Sequence, residues 1–127
     1  MLYSAVAIGT TVFRLRLCAQ NAVEVERRLG KSVVDVLLPQ SSEKSEGAAM
    51  PLVGDLVEIF HGALLKFHPE INIGGAYALY DEYIDDGGSY FGFLDILGEM
   101  LRVSGFFAQG TQRVPKEAQT GQEIPSA

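Results

Sequence analysis

Four groups of side chains in this 127-residue chain invite a chemical reading: a histidine pair, an acidic run, a glycine-flanked serine and a lone cysteine. His61 and His68 are the two histidines, and neither has an acid at the spacing of a helical HExxH zinc site. Ordinary surface histidines are expected, and no metal. The run Asp81-Glu82-Tyr83-Ile84-Asp85-Asp86-Gly87 has the composition of a calcium loop without its order. A loop starting at Asp81 puts Tyr83 at the third position, Asp86 where glycine is required and Gly92 where the bidentate glutamate belongs. A start at Glu82 puts Ile84 and Phe93 at ligand positions. The run reads instead as a solvated acidic helix face.

Gly87-Gly88-Ser89 lacks the GxSxG frame that exposes a serine nucleophile. Cys18, in an apolar run, reads as a buried thiol; being single, it excludes an internal disulfide and a multi-cysteine zinc site. No phosphate-binding loop or dinucleotide fingerprint is present. The expectation is a protein that is not an enzyme, with no catalytic residue, no cofactor and no metal.

Composition points the same way. A net charge of −6 and a pI near 4.8 argue against nucleic acid, whose phosphates need clustered Lys and Arg. Residues 1–36 carry five basic side chains (Arg14, Arg16, Arg27, Arg28, Lys31) against three acids, whereas residues 43–99 carry eleven acids against Lys44 and Lys66. Such asymmetry is ordinary solvated surface or a means for copies to attract each other head to tail. No apolar stretch approaches the length of a bilayer span, and the N-terminus lacks a signal-peptide pattern. A cytoplasmic protein without membrane contact is expected.

The elements that must position these residues suggest a mainly α (α+β) fold, with an N-terminal β-hairpin followed by about five helices. Val6–Ile8 and Val12–Leu17 are β-rich around a turn at Gly9-Thr10-Thr11, with Phe13, Leu15 and Leu17 on the buried face and Arg14 and Arg16 opposite. A first helix is expected over Ala19–Leu29, with Ala22, Val23, Val25 and Leu29 inward and Gly30 as a left-handed cap. Ser32 with Asp35 caps a short helix over Val33–Leu38. Pro39–Ala49 reads as a loop. Pro51 then suits the first position of a helix carrying Leu52, Leu56, Ile59, Phe60, Ala63, Leu64 and Phe67, closed by Pro69. After a turn at Asn72–Gly75, Ala76–Asp86 and the Ser89-capped Tyr90–Val103 complete the set, the latter ended by Gly105. Residues 1–107 form one domain in this reading, and 108–127 a disordered tail.

The fifth helix has more apolar surface than one core face can use. Asp95, Glu99 and Arg102 make a single narrow charged stripe, and nearly everything else is apolar. A domain this small leaves about a third of its unfolded-chain surface in water. Phe91, Leu94, Leu97, Leu101, Phe106 and Phe107 are therefore the candidate partner-binding residues, some of which must also serve the core.

Three stretches together carry a family likeness. They are Leu15-Arg16-Leu17 leading into the segment Glu24–Leu38 (EVERRLGKSVVDVLL), then Leu56–Phe67 (LVEIFHGALLKF), then Leu79–Ser89 (LYDEYIDDGGS) ending in Val103-Ser104-Gly105-Phe106-Phe107. In order and spacing they resemble the small tail-assembly chaperones encoded by siphophages and prophages of Gram-positive bacteria. The likeness spans roughly residues 3–107 and departs at Cys18, where a Ser or Thr cap would suit. It implies a non-catalytic bacteriophage protein that binds the tape-measure protein and keeps it soluble for tail tube assembly. The tail tube protein and self-association are further partner candidates. Such a protein acts in the cytoplasm of the bacterial host and is absent from the mature virion. The alternative is a virion structural tail-completion or head–tail connector protein.

Overall fold

A computed structural model describes residues 2–37 and 50–107. The loop expected at Pro39–Ala49 and the tail expected from Ala108 lie outside the described residues. The architecture is α+β: a two-stranded antiparallel hairpin, β1 (Ser4–Ile8) and β2 (Thr11–Leu15), followed by α1 (Ala19–Leu29), α2 (Val33–Leu37), α3 (Val53–Leu64), α4 (Ile73–Asp85) and α5 (Tyr90–Val103).

The hairpin turn is one residue tighter than its sequence suggests. Ile8 pairs with Thr11, so Thr11 belongs to β2 and only Gly9-Thr10 connects the strands. Gly9 takes φ 63°, the left-handed conformation a two-residue hairpin connection needs. Val6, Ile8 and Leu15 alternate inward onto the helices, as period-two patterning requires. Beyond the strand, the Arg16 N–H donates to the Ala63 carbonyl of α3 at 3.0 Å.

Helix α3 is the centre of the domain and packs against β2, α1, α2, α4 and α5. Its Leu56, Val57, Ile59, Phe60, Ala63 and Leu64 are all fully buried. Two shape features let neighbours approach. A Cβ on Gly62 would stand 2.4 Å from Val25 Cγ2 and 3.2 Å from Leu17 Cδ1, so the missing side chain is what allows α1 to lie this close. On the other side Phe93 of α5 meets the rings of Phe60, Tyr80 and Tyr83, with centroids 5.0, 4.8 and 5.5 Å away. Edge-to-face and tilted contacts of this kind add specificity beyond the area they bury.

Helix ends follow the local chemistry. Ser32 Oγ accepts from the Asp35 N–H, Asn72 Oδ1 from Gly75 and Ser89 Oγ from Gly92. Gly30, Gly87 and Gly105, all at positive φ, follow the ends of α1, α4 and α5. Helix α3 ends at Leu64, short of the expected Phe67, and two helix starts also differ from expectation. Gly74 and Gly75 lie in the first turn of α4 and not in a preceding turn, because Asn72 caps from outside them. Pro51 lies before the helix, since Leu52 is the extended N-cap residue of α3. Val23, expected inward, is exposed: two residues along a helix is about 200°, so Val23 and the buried Val25 face opposite ways.

Candidate interaction surface

The groups with chemical potential turn out to hold the fold together. His61 donates from Nε2 to the Ile71 carbonyl at 2.9 Å, and His68 Nε2 accepts from the Arg14 N–H at 3.0 Å. The carbonyl can only accept and the N–H only donate, so His61 carries its proton on Nε2 and His68 presents a bare Nε2. Both are half-buried ties between segments, not the open surface residues expected. In the acidic run, Asp81, Glu82, Asp85 and Asp86 are exposed, as a solvated face should be. Asp86 has a second role that its sequence position did not reveal: Oδ2 accepts from the Gly9 N–H at 2.8 Å and holds the hairpin turn against the end of α4. Cys18 is half-buried at the N-cap of α1 and makes no side-chain cap bond. Among the described residues, no three His, Cys, Asp or Glu side chains are grouped to hold a metal ion.

The six apolar residues singled out on and after α5 do not form one surface. Leu97 and Leu101 are fully buried in the core, so they offer nothing to a partner. Leu94 is half-buried against the core. Phe106 is half-buried too, and its position has a structural cause. Gly105 donates to Arg102 O and Phe106 to Leu101 O, the paired bonds of a Schellman ending, whose residue after the glycine packs back on the helix. Phe107 beside it is 37% exposed. Phe91, at the opposite end of α5, is 63% exposed. With about 1.5 Å of rise per residue, the two ends stand about 20 Å apart.

Phe91 belongs to a different group. Its ring packs edge-on against Tyr90 at 5.2 Å, and the Tyr90 hydroxyl donates to the Pro51 carbonyl. Burial, and next the neighbouring Tyr80, push the Tyr90 pKa above the ordinary phenol value, keeping it a donor. Pro51 is flanked by the exposed Met50 and by Leu52, which is 67% exposed, with Val53 next. The exposed Tyr77 of α4 reaches this place as well, its hydroxyl lying 3.4 Å from where a Cβ on Gly54 would be. Met50, Leu52, Val53, Tyr77 and Phe91 thus gather apolar side chains at one end of the domain, where the chain enters α3. A cleft of about 240 Å³ opens beside them, lined by Lys31, Asp35, Val36, Met50, Pro51, Leu52 and Asp55.

Of these exposed residues, the sequence singled out Phe91 but not its neighbours. Leu52 stands four residues before the buried Leu56, and helical spacing therefore counted it as core. The available signal was Pro51, which also suits a residue just outside a helix. Tyr77 carried no signal, because its exposure depends on how α4 lies on α3.

These observations define a class: a hairpin-and-helix α+β domain with an apolar surface at one end and acidic side chains about it. The chain belongs to DUF6096, a family of unknown function, which it matches over residues 3–125. No curated protein and no solved structure matches it. No helix among the described residues is long and apolar enough to cross a membrane.

Proposed function

We propose that this protein is a non-catalytic tail-assembly chaperone, which binds a tape-measure protein and keeps it soluble until the tail tube forms around it. The observation that carries the reading is the apolar end surface. Three separate segments bring Met50, Leu52, Val53, Tyr77 and Phe91 together as exposed apolar side chains that the described residues do not bury. Exposed apolar groups of this kind favour a protein partner. A long helical chain with apolar stripes is a fitting one, since helices dock by laying such stripes against apolar surfaces. The net charge of −6 supports the reading by keeping a complex dispersed. The likeness of order and spacing to tail-assembly chaperones supplies the particular partner. On this reading the protein works in the bacterial cytoplasm and leaves before the virion is complete.

The test is co-expression with the tape-measure protein of the same genome, followed by size-exclusion chromatography of the soluble fraction. The expected result is a soluble tape-measure protein that co-elutes with this chain, and loss of both effects in Leu52→Asp and Phe91→Asp variants with unchanged circular dichroism. A tape-measure protein that stays insoluble while this chain elutes alone overturns the reading. Finding the chain in purified particles would instead favour the connector alternative.

A further inference from the structure

We infer that the segment docking on this end surface is a peptide whose apolar side chains are flanked by lysine or arginine. The inference rests on the docking reading above and specifies the chemistry of what docks.

The charges around the surface carry it. Asp35 and Asp55 line the cleft beside Leu52. Asp81 lies one helical turn beyond Tyr77, and Asp95 one turn beyond Phe91, so each projects from the same helix face as its aromatic neighbour. Among the described residues, none of these four carboxylates is in an ion pair. Three other acids do have a cation at hand: Arg27 pairs with Glu24, Arg28 with Glu58 and Arg102 with Glu99. Among the described residues, Lys31 is the one cation lining the cleft. The apolar surface therefore has a negative rim, and complementary potentials steer association and reject like-charged partners.

The same rim disfavours two other occupants. A second copy docking through the same surface would set aspartates against aspartates across a two-fold axis. An anionic lipid surface would repel all four carboxylates while attracting Lys31.

A randomised peptide display library selected against the full chain, with a Leu52→Ser/Phe91→Ser chain as counter-selection, tests this directly. Both substituted residues are exposed, so the counter-selecting chain should stay folded, which circular dichroism is to check. The expected winners combine apolar residues with an excess of Lys and Arg, and bind the substituted chain at least about tenfold more weakly. Raising the salt from about 0.05 M to about 0.5 M, or making Asp55→Asn/Asp95→Asn, weakens them by a similar factor. Winners that are acidic or uncharged, winners that bind the substituted chain equally well, or no enrichment at all would each overturn the inference. So would a dimer at neutral pH, where the aspartates are ionised, whose formation needs Leu52 and Phe91. The two ideas fail separately. Basic apolar peptides that bind while the tape-measure protein is ignored sink only the chaperone reading. A tape-measure protein solubilised equally by the Leu52→Ser/Phe91→Ser chain sinks only the docking chemistry.

Discussion

Gly9 and Gly62 would each place a new Cβ 2.4 Å from a neighbouring atom, yet the two positions should respond differently to alanine. At Gly9 the obstacle is Glu82 Oε2, the far end of an exposed and flexible side chain that can swing aside. What remains is the left-handed backbone, worth about 1 kcal/mol for a residue with a Cβ. At Gly62 the obstacle is Val25 Cγ2, a β-branched side chain fully enclosed between α1 and α3. Gly62→Ala should therefore cost about 1–3 kcal/mol by forcing α1 outward, and rank as the worse of the two in urea denaturation. The two phenylalanines at the start of α5 make a sharper pair. Phe93→Ala empties the centre of the Phe60–Tyr80–Tyr83 cluster and should cost about 3–5 kcal/mol, whereas Phe91→Ser should change stability by less than about 0.5 kcal/mol. Equal losses for the two would show that Phe91 is packed and not presented.

At the scale of elements, the N-caps supply the next expectations. Ser89→Ala removes the acceptor for the Gly92 N–H and should lower stability by about 1 kcal/mol. Cys18 occupies the same place before α1, extended at φ −77° and ψ 160°, with no side-chain cap bond. Cys18→Ser should supply that bond and raise stability by about 0.5–1 kcal/mol, visible as a higher melting temperature. On α5, the Arg102 hydrogen bond holds Glu99 below the ordinary carboxylate pKa. A carboxylate depressed on folding stabilises the native state above its unfolded pKa, and that contribution disappears as pH falls through the lowered value. Melting curves of wild type and Glu99→Gln should therefore differ slightly at neutral pH and converge in acid; the gap stays small because the pair stands in solvent. A gap that widens in acid would contradict this assignment. These same termini explain why the element order could be read from residues. Ser32, Ser89, Gly30 and Gly105 act within a turn of their own position, so short-range chemistry decides them. Asn72 was legible in principle, but the Gly74-Gly75 pair after it looked like a turn. The end of the chain's family likeness has a similar local content: Gly105-Phe106 is a helix ending that packing alone would favour.

For the whole molecule, the apolar end surface and the net charge set colloidal behaviour together. Near the pI of about 4.8 the repulsion between copies vanishes, and apolar contact at the exposed end should then bring molecules together. Light scattering across this range should rise with concentration for wild type and much less for Leu52→Ser/Phe91→Ser. An equal rise in both would mean that the association uses another part of the surface. The surface itself was only partly legible because it is assembled from residues 50–53, 77 and 91, and nothing local to any of them states which will meet. Helical periodicity could say that α5 has surplus apolar residues; it could not say that Leu97 and Leu101 are buried while Phe91 faces water.

The hairpin raises a different matter, that of order in time. Its polar groups are satisfied by residues made much later: Arg14 N–H by His68, Gly9 N–H by Asp86, the Arg16 guanidinium by the Val103 carbonyl and Leu17 N–H by Ser104 Oγ. A nascent chain leaving the ribosome thus exposes the first two strands before any of these partners exists. The last of these ties come only with the end of the final helix, so a chain terminated before Val103 should lack the acceptors for Arg16 and Leu17 and hold its beginning less firmly.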